Sequence, residues 1–99
     1  MDEARLDDTG SGLAPAGEGW FVVNVRDAEW MTSDTFGSGC VFESGKNWFP
    51  QLGINISVLE PGRPNCLCHS ESLQEAFLVL SGECRLLVNG EERLLGPWD

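Results

Sequence analysis

Three short apolar runs close the chain: EAFLVL (75–80), ECRLLV (83–88) and EERLL (91–95). Two-residue breaks separate them, Ser81-Gly82 and Asn89-Gly90. Asn-Gly between apolar runs is the strongest short-range signal of a β-hairpin, because both turn residues must take positive φ. The spacing predicts a three-stranded antiparallel meander over 75–95 and, with no long helical pattern anywhere, an all-β fold.

The upstream sequence extends this reading. In GINISVLE, Ile54, Ile56 and Val58 alternate with Asn55 and Ser57, the pattern of a half-buried strand. Glu60-Pro61-Gly62 ends it as a turn, since proline presets φ and glycine accepts positive φ. WFVVNVR (20–26) reads as a β-rich run, AEWM (28–31) as a helical turn, and CVFE (40–43) as a short strand closed by SGKN. Residues 1–19 mix acids with glycines and show no period, which predicts a disordered acidic tail followed by one β-domain over 20–99.

Charge limits the partners. Sixteen acidic residues stand against six basic ones, a formal charge of −10. Such a chain cannot replace the counterions of a phosphate backbone, so no nucleic acid is expected. An anionic membrane surface is equally unsuited, and no apolar stretch approaches the roughly 18–20 residues that span a bilayer. With no basic start leading into an apolar run, no secretory signal is visible, and a cytoplasmic protein is expected. Cys40, Cys66, Cys68 and Cys84 are then expected to stay reduced. Cys66 and Cys68 lie two apart on one strand face, with parallel Cβ vectors that do not suit a disulfide. Cys66-x-Cys68-His69 has some of the character of a zinc-thiolate set, but His69 points to the other face and no second cysteine pair follows. The four tryptophans (Trp20, Trp30, Trp48 and Trp98) read first as core and second as the lining of a ligand cavity. No G-x-S-x-G, phosphate-cradling glycine loop or H-E-x-x-H is present.

The residues from about Gly53 to Asp99 resemble the first sequence motif of the cupin superfamily. That motif runs Gly, five residues, His-x-His, three or four residues, Glu, six residues, Gly. Here Gly62 stands in a Pro-Gly turn after a strand, and Glu75 is followed by six residues and Gly82. LVLSGECRLLVNGEE is similar to the hairpin that follows the family's glutamate. The histidines depart from the pattern. Counted from Gly62 their positions fall on Cys68 and Ser70; counted back from Glu75 they fall on His69 and Glu71.

The resemblance implies a double-stranded β-helix, or jelly-roll, barrel whose interior takes a divalent metal such as Mn, Fe or Zn. With a single histidine in the chain, the implied ligands are His69, Glu71 and Glu75, an incomplete set that would hold the ion weakly. His69 can equally be read as a satisfied barrel-lining residue. The family's second motif is missing from this sequence, which implies a barrel incomplete at its C-terminus and a homodimer that covers the open edges. Three functions remain open: a small-molecule-binding cupin, a metal-dependent cupin enzyme of dioxygenase or isomerase type completed by residues beyond Asp99, and a non-catalytic β-module for dimerisation.

Overall fold

The structure is a computed structural model that describes residues 1–66 and 73–99. Its regular elements are all strands: β1 (Leu6–Asp8), β2 (Leu13–Pro15), β3 (Glu29–Ser33), β4 (Gly37–Val41), β5 (Asn55–Val58), β6 (Cys84–Val88) and β7 (Glu91–Leu95). They form antiparallel sheets in the orders β1-β2, β3-β4-β5 and β6-β7, and among the described residues none closes into a barrel. No helix among them is long and apolar enough to cross a membrane. Two compact units divide the chain, Met1–Leu67 and Cys68–Asp99.

In the first unit, the segment expected to be a disordered tail carries β1 and β2, paired from Leu6↔Pro15 to Asp8↔Leu13. Their turn is fixed locally: Thr9 N–H donates to the Gly12 carbonyl at 2.9 Å, and the Asp8 carboxylate accepts from Gly10 N–H at 2.8 Å. Beyond the turn, Leu13 N–H donates to the Asp27 carbonyl at 2.8 Å and Trp30 N–H to the Ser11 carbonyl at 3.1 Å. Gly12, at φ 141°, lies so close to Ala28 that a Cβ would collide with the Ala28 carbonyl. Ala4, Ala14 and Ala28 are buried. This packing joins backbone to backbone through small residues, so it leaves no hydrophobic period in the sequence.

Two other expectations change for local reasons. The WFVVNVR run contributes only a single bridge, Glu3↔Trp20. Asn24 ends its extension: the side-chain oxygen accepts from Arg26 N–H at 2.9 Å and the carbonyl from Asp27 N–H at 2.9 Å, which bends the chain into a turn. The expected helical turn at AEWM is instead the start of β3, which pairs with β4 from Glu29↔Val41 to Ser33↔Gly37. Three loop residues separate the strands, and Gly37 at φ 82° supplies the left-handed position such a loop needs. CVFE thus belongs to a strand that begins earlier and ends at Val41.

The strand expected in GINISVLE is β5, and it makes β4 the central strand. Of the face expected to be buried, Ile56 is half-buried, whereas Ile54 lies before the strand and both it and Val58 are exposed. Trp30, Cys40 and Ile56 stand opposite one another across the sheet. Cys40, at 0% exposure, is the one fully buried side chain among the described residues. The turn after β5 has the expected form, with Arg63 N–H donating to the Glu60 carbonyl at 3.1 Å and Gly62 at φ 81°.

In the second unit, β6 and β7 form the Asn-Gly hairpin read from sequence. Asn89 and Gly90 have φ 51° and 75°, a two-residue turn that fits the strand twist. EAFLVL, however, is not a third strand folded back at Ser81-Gly82. Val79 N–H donates to the Asp99 carbonyl at 3.0 Å, and Trp98 N–H donates to the Val79 carbonyl at 2.6 Å. Val79 therefore pairs, upstream on the β6 arm, with the two residues that end the chain beyond β7. Gly82, at φ 77°, bends that arm rather than reversing it. In place of the predicted meander stands the β6-β7 ribbon, with a longer first arm that pairs again at Val79.

Candidate functional site

Of the three ligands implied by the cupin resemblance, Glu75 lies among the described residues; His69 and Glu71 lie outside them. Glu75 is exposed near the start of the ribbon's longer arm. Six residues on, Gly82 holds its positive φ. Gly62, the other glycine of the motif, belongs to the first unit and has the same conformational requirement. Among the described residues, no three His, Cys, Asp or Glu side chains gather as a metal site. As donors, one imidazole and two carboxylates suit a hard or borderline divalent ion and leave positions for water.

The ribbon presents two unlike faces. Cross-strand partners share a face, so Leu86 with Arg93 and Val88 with Glu91 line one side. There they bound an open groove of about 210 Å³ together with Asn89. The Arg93 guanidinium reaches the Glu91 carboxylate at 2.7 Å within that groove. On the other face, Arg85 and Glu92 approach to 3.5 Å beside the exposed Leu87 and Leu94. Both faces thus combine exposed aliphatic groups with one ion pair.

The thiols separate by environment. Cys40, Cys66 and Cys84 are free, respectively buried, exposed and half-buried; Cys68 lies outside the described residues. Burial pushes the Cys40 thiol above its ordinary 9.0, because the thiolate would lose its water. Cys40 is accordingly a packing residue.

The tryptophans depart from their expected role. Trp20, Trp48 and Trp98 are exposed. Trp30 is half-buried, and its indole N–H donates to the Val25 carbonyl at 2.8 Å. Aromatic packing falls instead to Phe21 and Phe49, stacked with centroids 6.2 Å apart.

Sequence reasoning missed one residue outright. Trp98 has φ 70°, a conformation ordinarily left to glycine. Gly96, Pro97, Trp98 and Asp99 form a turn closed by Asp99 N–H to the Gly96 carbonyl at 3.1 Å. Pro97 at the second position and positive φ at the third define a type II turn, a form that favours glycine where Trp98 stands. Proline followed by a bulky residue was the available signal.

Comparison of the chain with protein-family models, with curated proteins and with solved structures found no match.

Proposed function

We propose that the protein is a small-molecule-binding domain of the cupin type, with His69, Glu71 and Glu75 as a weak divalent-metal site for Mn, Fe or Zn. The observation that carries this reading is conformational. Gly62 and Gly82, which frame the motif in sequence, have φ 81° and 77°, where a side chain would be strained. The motif's glycines thus stand where the backbone favours glycine. The all-β architecture and the Asn89-Gly90 hairpin after Gly82 also support it.

When bound, a divalent ion would supply Lewis acidity and fix an oxygen-bearing ligand in place. The chain itself would contribute the Glu75 carboxylate from the ribbon's longer arm, with His69 and Glu71 from the segment before it. Thermal melts with and without Mn, Fe or Zn test the site. The wild-type chain is expected to melt higher with metal, and Glu75→Gln to lose most of that shift. Equal shifts in both proteins would sink the proposal.

A second reading, a β-module for homodimerisation, draws on the apolar surface of the second unit. Phe77, Leu78, Leu80, Leu87, Val88 and Leu94 are all exposed. An isolated two-stranded ribbon is marginal in water, and a further strand with an apolar face is what normally stabilises it.

A further inference from the structure

We infer that two copies of this chain pair edge to edge through residues 75–80, with Leu78 opposite Leu78 of the second copy. This rests on the reading of the second unit as an assembly module, and it names the edge and the register.

The edge follows from backbone direction. Val79 directs its N–H and carbonyl toward Asp99 and Trp98. Neighbours of a residue paired in this way turn these groups to the opposite side, so those of Leu78 and Leu80 face away from Trp98 and Asp99. Extended across the proposed seam, Ala76 would turn its groups the same way. None of the three has a backbone hydrogen bond among the described residues. No proline or lysine guards the segment, although such residues commonly protect exposed strand edges.

The register follows from the side chains. A two-fold axis at Leu78 places Ala76 opposite Leu80 and Phe77 opposite Val79 of the second copy. Every central pair is then apolar, and Phe77 with Val79 is an aromatic and β-branched pair of a favourable kind. Glu75 falls opposite Ser81, so no like charges face each other. On one side, Ala76, Leu78 and Leu80 from both copies form a continuous apolar strip. A four-stranded sheet results, enough strands for a sheet with an apolar face to be stable.

Leu78 would sit in a hydrogen-bonded pair, with Cα atoms about 5.5 Å apart, inside the range a disulfide can bridge. Leu80 and its counterpart would be about 14 Å apart, out of reach. In a chain carrying Cys66→Ser, Cys68→Ser and Cys84→Ser, Leu78→Cys should give a covalent dimer on mild oxidation. Leu80→Cys should give at least tenfold less. Independently of any substitution, sedimentation of the wild-type chain should give about twice 10.8 kDa. Amide exchange at Ala76, Leu78 and Leu80 should slow as concentration rises. A dimer that cross-links equally at both positions, or shows no protection at these amides, overturns the edge while leaving the assembly reading standing. A monomer by sedimentation overturns both.

Discussion

Val79 and Trp98 are joined by a 2.6 Å hydrogen bond from the Trp98 N–H to the Val79 carbonyl, while Val79 N–H bonds the next residue, Asp99. Two residues thus stand opposite one, and the first has φ 70°. This is the geometry of a β-bulge that ordinarily has glycine at its first position. Here a tryptophan occupies it with 73% of its surface exposed, so little packing offsets the strain.

Trp98→Gly is therefore expected to stabilise the second unit by about 1 kcal/mol, the order of the penalty for a left-handed side-chain residue. Urea unfolding should show a higher midpoint with an unchanged slope. A lower midpoint would mean that the indole makes contacts worth more than the strain costs.

Gly90→Val should act in the opposite direction. The two-residue turn needs positive φ at both positions, and Gly90 has φ 75°. A β-branched residue there costs about 1–2 kcal/mol and weakens the pairing of β6 with β7. Backbone chemical shifts and amide exchange at Leu86 and Arg93 would report it. An unaffected ribbon contradicts the turn assignment.

Gly12→Ala tests whether residues 1–19 belong to the folded first unit. A Cβ at Gly12 meets the Ala28 carbonyl, whereas a Cβ at Gly10, also at positive φ, meets no atom within 4 Å. Gly12→Ala should cost more than Gly10→Ala by about 1–3 kcal/mol. Equal effects would return the segment to the tail that its composition predicts.

Cys40 sets a pH dependence with a definite sign. Its folded thiol ionises above the ordinary value of 9.0, so the unfolded chain releases its proton first. The stabilisation is fully present below pH 9.0 and is lost as pH rises through the folded value. Cys40→Ala should flatten the fall in stability above pH 9.0. In the native state a thiol reagent should modify Cys66 before Cys84, and Cys40 only on unfolding. Rapid native labelling of Cys40 would contradict its burial.

These contrasts show what the sequence made legible. Asn89-Gly90 and Pro61-Gly62 announce themselves because their conformations are local properties of two residues. β5 is visible because Ile56 and its neighbours alternate. The N-terminal hairpin is hidden because Gly12 and Ala28 join backbones without any apolar period. EAFLVL reads as a strand from its composition, yet among the described residues its backbone pairs only at Val79, and with Trp98 and Asp99 rather than across the adjacent Ser81-Gly82. Glu75 is visible as a motif residue through its spacing to Gly82; its proposed partners His69 and Glu71 are read from sequence alone.

The most direct test of the functional account is a Mn titration of the purified full chain, followed by the electron paramagnetic resonance signal of free Mn. The account predicts one saturable site per chain, with binding weakened at least tenfold in His69→Ala, Glu71→Gln and Glu75→Gln and unchanged in Glu91→Gln, a carboxylate outside the proposed set. Binding that is absent in the wild-type chain, or that survives all three substitutions, would contradict it.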